Sequence, residues 1–430
     1  MAKKHIAIAA VAVSALLLAG CSSTGGGSTG GTPSGDITVL TNRTDLIKNK
    51  VYAGYVAAFN KAYPKVTVKL QGITDYEGEV TTRLSTKNYG DVLGIPGSVT
   101  PNQLPQFFEP LGDTAKLKDK YRFLNDKSYK GKQYGLPTFG NAQGILYNKR
   151  VWKEAGVTSL PKTPDEFITD LKLIKSKTDA IPYYTNYKDG WPLGKWQDQQ
   201  GFSGNTDVVA DRDKNKAPWT SGTEQYITDA LLYTIVHDGL SEPDPLTTSW
   251  EGSKGMLATG KVASAVLGSW AIVQFQDAAK TAGADPADIG FMPFPEQKDG
   301  KFHSAVGGDV NIGVNVNSKN KPAARAWVDW FLNKSTFAAD AGALPPQVNG
   351  KNPTTLQDFT DNKVQYVELS AAKKPALDSD IYNKAEIDLF GKVYRQKLVD
   401  IARGAAEGDM KSYFADLNKR WAAARSSVAS

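Results

Sequence analysis

Apolar and polar positions along the chain follow two rhythms that alternate. Asp36 to Leu40 (Asp-Ile-Thr-Val-Leu) is a short β-rich run and opens the folded body. From Lys48 to Ala62, Val51, Tyr55, Val56 and Phe59 recur on one helical face. Tyr63-Pro64 stops that helix, because the residue before a proline is pushed out of the α region. Val66 to Leu70 alternates as a strand, a second helix begins near Tyr76, and Asp91 to Ile95 reads as a buried strand. Strand, helix, strand, helix, strand predicts an α/β unit with a largely parallel sheet.

The pattern continues in shorter pieces. Tyr134 to Pro137 and Gly144 to Tyr147 are brief apolar segments. Thr163-Pro164-Asp165-Glu166 opens a helix reaching about Lys177, with Thr163 as N-cap and Pro164 at the first position, where a missing N–H costs nothing. Ile181 to Tyr184 is extended. Residues 186–222 are polar, long and tryptophan-containing, and a loop of that length in a compact protein is functional or mobile. Helices are predicted at Glu224 to His237, Trp250 to Thr259 and Lys321 to Leu332, and for most of Ala385 to Ala424. Strands are predicted at Ser264 to Gly268, Ile289 to Met292 and Val310 to Val316. Trp327, Trp330 and Phe331 fall at helical spacing in an apolar run and read as core.

The ends change the picture. Lys3 and Lys4 precede an apolar run from Ile6 to Leu18 that is too short to span a bilayer, which takes about 20 residues, but has the form of a secretory h-region. Leu18-Ala19-Gly20-Cys21 then resembles a bacterial lipobox. That resemblance implies diacylglycerol on the Cys21 thiol, cleavage before it and acylation of the new N-terminus, with each buried methylene worth about 0.8 kcal/mol. Cys21 is the only cysteine in 430 residues, so no disulfide can form within one molecule. Ser22 to Gly35, SSTGGGSTGGTPSG, has nothing to bury and reads as a flexible tether reaching about 20 Å on average. Removing Lys3 and Lys4 from the 51 Lys and Arg leaves 49 against 45 Asp and Glu. The charges are interspersed, so there is no nucleic-acid signal and no polybasic membrane signal.

Four segments, in order, resemble the family 1 extracellular solute-binding proteins of ABC sugar importers. They are Tyr134 to Pro137 with Gly144 to Lys149, Ala155-Gly156 and Pro161 to Phe167; Gly260 to Trp270; Ile289 to Pro295; and Gly307-Gly308 through Gly313 to Asn315, Ser318-Lys319 and Ala323 to Leu332. The resemblance implies an α/β, two-lobed periplasmic-binding-protein fold. Each lobe would be a mixed, mostly parallel sheet flanked by helices, hinged by about three crossing segments around a ligand cleft. The expected division is a signal peptide over 1–20, lipidated Cys21 and tether over 21–35, an N-terminal lobe of 36–143 plus 292–320, and a C-terminal lobe of 144–291 plus 321–430. The implied partners are a sugar or oligosaccharide, ABC permease subunits and, through the anchor, the membrane. A monomer is expected, with no cofactor, no metal and no catalysis.

A sugar offers C–H faces to aromatic rings and hydroxyls that need partners once buried, at about 1–3 kcal/mol for each left unpaired. Asn42, Arg43 and Asp45 directly follow the first strand, where open α/β sheets bind ligands, although a helix cap with a surface ion pair would use the same residues. In the resembling family the stretch from Phe139 to Gln143 crosses the cleft floor, which makes Asn141 and Gln143 polar contacts or hinge residues. Trp270 holds a Gly-x-Trp position where the family often stacks a ring; its alternative is core. Trp191 and Trp196 in the long loop, Trp250 before a helix and Asp309 in a Gly-Gly-Asp turn complete the candidate set.

Three rivals stay open. A secreted glycoside hydrolase would need two opposed carboxylates, which the composition allows. The same fold could carry a peptide, polyamine or iron complex, and a lipoprotein could simply scaffold other surface proteins. Asp211-Arg-Asp-Lys-Asn215 begins like a calcium loop but has Lys216 where glycine is needed and Gly222 where glutamate is needed. His5, His237 and His303 do not cluster in sequence.

Overall fold

In the computed structural model the described residues are 32–74, 76–370 and 375–428, with the side chains of residues 45, 375 and 376 left aside. The leader, Cys21 and most of the tether lie outside them.

The first strand, Gly35–Thr41, pairs in parallel with Val66–Gly72 on one side and Val92–Gly94 on the other. Between them Val51–Ala62 forms the predicted helix, and its buried Tyr52, Tyr55 and Phe59 face the sheet. The two short apolar segments near residue 140 are one strand, Leu136–Asn148. The strand expected from Val310 starts earlier and runs Lys301–Val314. These two long strands are antiparallel to each other, and Ile312 to Val314 pair antiparallel with Val92–Gly94. The far half of Leu136–Asn148 pairs with Ser264–Gly268 and Ile289–Met292. One hydrogen-bonded path therefore runs through both halves of the molecule, in the order Val66–Gly72, Gly35–Thr41, Val92–Gly94, Lys301–Val314, Leu136–Asn148, Ser264–Gly268.

Burial separates the halves. Ile37, Phe59, Val92, Leu136 and Val314 share a core on one side. Ile145, Phe167, Leu232, Leu398 and Trp421 share another, and Leu146, Leu267, Phe275, Phe291 and Phe359 a third beside it. Helix Pro164–Lys177 shows how local sequence serves this packing. Thr163 accepts a hydrogen bond from the Glu166 N–H at 3.1 Å, while Phe167, Leu171 and Ile174 are buried at 0% exposure. Each such side chain removed from water stabilises the fold by about 1.5–3 kcal/mol.

Two expected boundaries move. Helix Lys321–Lys334, assigned from sequence to the C-terminal lobe, buries Trp327, Val328 and Phe331 in the core of Ile37 and Phe59. Trp327 meets Phe59 edge-on, with ring centroids 5.1 Å apart. The start of Lys301–Val314, assigned to the N-terminal lobe, instead packs Phe302 with Phe291 and Phe359 and pairs His303 to Val306 with Gln365–Glu368. Periodicity fixes which face of a helix or strand is apolar, but not which of two cores receives it.

The halves are joined where Leu136–Asn148 and Lys301–Val314 pass side by side and where Leu344 exchanges backbone hydrogen bonds with Gly140 at 2.8 and 2.9 Å. Gly140 has to be glycine at this seam, since a Cβ there would come 2.2 Å from the Phe123 ring.

Candidate functional site

Three indoles meet at the rim of the second half. Trp191 opens the short helix Trp191–Gly194, Trp250 opens Trp250–Ala258, and Trp270 sits in the turn Ser269–Ala271 that ends strand Ser264–Gly268. Their ring centroids are 4.9 Å apart for Trp191 and Trp250, 5.9 Å for Trp191 and Trp270, and 5.9 Å for Trp250 and Trp270. None of the three is buried, and Trp191 is 37% exposed. Backbone and charge fix the cluster. The Asp189 carboxylate accepts from the Trp250 N–H at 2.5 Å, and the Lys254 ammonium lies 4.9 Å from the centre of a Trp250 ring, an attractive cation–π distance. Gly268 lies against the cluster: a Cβ there would stand 2.5 Å from Trp270 Nε1, so any larger residue would make the indole shift.

A polar floor lies next to the indoles. The Asn141 amide donates to the Asp309 carboxylate at 3.0 Å, and Ser269 Oγ, 3.5 Å from the Asn141 carbonyl oxygen, accepts from the Ala142 N–H at 3.0 Å. Asp309 in turn accepts from the Val310 N–H at 2.8 Å. Two residues along the strand, the Gln143 N–H donates to Ser304 Oγ at 3.0 Å, but Gln143 Oε1 is buried without a hydrogen-bond partner. A buried carbonyl oxygen of that kind is an acceptor waiting for a donor. Strain collects here as well. Val310 has φ +44° and Phe123 φ +63°, a region that β-branched and bulky side chains avoid and that is tolerated mainly at functional sites.

Asn42 and Arg43 follow strand Gly35–Thr41, as the strand-end rule predicts, and share a recess of about 180 Å³ with Asp309, Phe139 and Tyr76. Burial pushes the Tyr76 hydroxyl pKa up, and its O–H donates to the Gly94 carbonyl at 3.1 Å. Asp45 falls in helix Thr44–Lys48, and its side chain is among those not described. A second recess of about 260 Å³ lies where the two halves meet, with Gln143, Asp126 and Phe390 in its walls. Solvent reaches Asp126, but the surrounding protein replaces enough of it to push that carboxyl pKa upward.

One candidate is corrected. Trp196 does not face the cleft: it is 0% exposed, packs on Tyr183 and Phe294, and donates from Nε1 to the Tyr183 hydroxyl at 3.0 Å. Its five-residue distance from Trp191 carries it round the short helix and into the core. Sequence reasoning missed Tyr76, Asp126 and Phe390. Tyr76 was visible only as a helix start, and Phe390 lay in a tail read as helical, where Asp388-Leu-Phe-Gly-Lys392 is a break with a turn residue inside it.

The geometry defines a class: a two-lobed α/β protein whose lobes share two through-running strands, with a cluster of edge-on and tilted indoles beside the amides of Asn141 and Gln143 and the Asp309 carboxylate. Such a site can hold a hydroxylated, C–H-faced guest through ring contact and hydrogen bonds. The model for bacterial extracellular solute-binding proteins matches residues 44–336, and the chain belongs to that family. The chain is 28% identical over 300 residues to the diacetylchitobiose binding protein DasA of Streptomyces coelicolor, covering 66% of this chain and 67% of that one. A binding protein of an ABC transporter from Bifidobacterium animalis subsp. lactis, solved with mannobiose, superposes with a TM-score of 0.77 at 34% identity over 92% of this chain and 95% of its own. A manno-oligosaccharide specific solute binding protein from the same organism, solved with mannotriose, gives 0.76 at 32% identity over the same shares.

Proposed function

We propose that this protein is a lipid-anchored oligosaccharide receptor outside the cytoplasmic membrane that hands its ligand to an ABC-type importer. The observation that carries the reading is the cluster of Trp191, Trp250 and Trp270, three indoles left unburied beside the Asn141, Gln143 and Asp309 floor. Burying them against each other alone would leave their outer faces in water, and a sugar ring covers those faces while its hydroxyls satisfy the amides. The named relatives and solved neighbours, which bind diacetylchitobiose and manno-oligosaccharides, support an oligosaccharide over a peptide, polyamine or iron complex.

In this reading the lobes move about the seam of Leu136–Asn148, Lys301–Val314 and Leu344, close on the sugar, and the closed monomer docks on two permease subunits. Binding without turnover needs no cofactor, and the protein performs no hydrolysis. The test is isothermal calorimetry and thermal shift against manno-, malto- and chito-oligosaccharides, together with an assay for new reducing ends. Ligand-dependent stabilisation with no new reducing ends is expected. Release of reducing ends would replace the receptor with a hydrolase, and silence toward every sugar would remove carbohydrate altogether. Attachment through Cys21, supported by Leu18-Ala19-Gly20-Cys21, predicts that the native protein enters the detergent phase and that Cys21→Ala leaves it in the aqueous phase.

A further inference from the structure

We infer that the recess walled by Phe390 is a second ring subsite, so that the preferred ligand is an oligosaccharide long enough to span from the indole cluster to Phe390; this rests on the sugar-receptor reading above. Phe390 is 53% exposed. A lone exposed phenylalanine needs no explanation. This one is held out rigidly, and into a recess.

Its backbone is pinned on both sides. Leu389 is fully buried, and its carbonyl accepts from Arg395 Nη1 at 3.0 Å. Arg395 is itself fully buried in an ion pair with Asp229 at 2.9 Å. The Gly391 N–H donates to the Asp388 carbonyl at 2.7 Å, and the Asp388 carboxylate accepts from the Val393 and Tyr394 N–H groups at 2.7 and 2.9 Å. The ring meets Tyr382 edge-on at 6.1 Å, which leaves a face for something else. The same turn is packed onto the helix that carries Trp191: a Cβ on Gly194 would stand 2.4 Å from the Phe390 carbonyl oxygen. Phe390 and Trp191 thus ride on one rigid unit.

Gln143 links the two positions. It lines the Phe390 recess, and its Oε1 stands 3.2 Å from where a Cβ of Gly268 would be, the same point that lies 2.5 Å from Trp270 Nε1. Its oxygen is buried without a partner, so a small swing of the Gln143 side chain would let it accept from a hydroxyl at the junction of two rings. The recess, at about 260 Å³, lies under the roughly 300–1,000 Å³ that takes a drug-sized ligand, so it admits one ring rather than a whole oligosaccharide. Asp126, also in the wall of this recess, supplies a further acceptor for that ring's hydroxyls.

The test is calorimetry of the wild-type protein, Phe390→Ala, Phe390→Trp and Trp270→Ala with the mono-, di- and trisaccharides of the manno-, malto- and chito- series. In whichever series binds, wild-type affinity should rise with chain length. Phe390→Ala should weaken the trisaccharide about tenfold, the scale of one lost stacking contact, and the shorter sugars much less. Phe390→Trp should restore the gain, and Trp270→Ala should weaken every length. An equal loss at all lengths, no loss at all, or no gain with length in the wild type overturns the subsite while sugar binding stands. No heat from any sugar with the wild type overturns the parent reading instead.

Discussion

Trp191 and Trp196 stand five residues apart in one polar stretch and do opposite work. Trp196 has every face covered and its Nε1 hydrogen-bonded to Tyr183, so it belongs to stability. Trp191 leans on Trp250 and Trp270 with more than a third of its surface open, which leaves it free for the recognition proposed above. An indole in a loop therefore says only that a large flat surface has to be covered. Whether the protein or a guest covers it is decided by which short helix turns it inward, here between Gly190, at φ +75°, and Gln197.

The contrast can be broken most forcefully at Trp196. Trp196→Ala should lose about 3–5 kcal/mol of unfolding free energy in a denaturant titration. A change under a third of that would mean the core closes without it. Next comes Trp270→Ala, expected to weaken sugar affinity about tenfold, or 1.4 kcal/mol, in calorimetry while the melting temperature stays close to wild type. If Trp270→Ala melts as early as Trp196→Ala, the two classes of indole collapse into one. Gly268→Ala probes the same cluster without replacing an indole. Its methyl would press on Trp270 Nε1, so binding should weaken by less than in Trp270→Ala, and unaltered affinity would show that the indole yields freely.

The smallest effect is electrostatic. Buried Glu242 accepts from the Thr185 N–H at 2.9 Å and from its hydroxyl, holding the irregular segment that leads toward Trp191. Desolvation raises the Glu242 pKa from 4.5 to about 7. A carboxyl raised in the folded state binds its proton more tightly there than when unfolded. Its contribution is therefore complete below about pH 4.5 and is lost as pH rises toward 7. Melting temperatures from about pH 5 to 8 should fall less with rising pH in Glu242→Gln than in wild type. Parallel curves would show that Glu242 does not titrate in this window.

Much of the fold was legible because periodicity and caps are local. Glu224–His237 and Ser264–Gly268 occupy the stretches their patterns predict, and Thr163 caps its helix as read. Residues 186–222 were blank because what shapes them is distant. The Arg212 guanidinium pairs with Asp378 at 2.8 Å, and the Trp219 N–H donates to Asn418 at 2.8 Å. Strand ends pointed to Asn42 and Arg43 because a topological rule places ligands there, and the structure puts both in the wall of one recess with Asp309. No rule of that kind exists for a ring on a turn between two helices, which is why Phe390 escaped. The lobe of Lys321–Lys334 escaped for the same reason, since a helix carries no label for its partner.

The two strands that run through both lobes also sort residues by how freely they can change. Asn141 and Asp309 join the two through-running strands side chain to side chain, so altering either disturbs the link between the lobes along with the proposed site. The indole rings and Phe390 hang outside those strands. On the proposed function, a lineage can exchange them one at a time and shift its choice of sugar, while the closing motion about the shared strands stays the same.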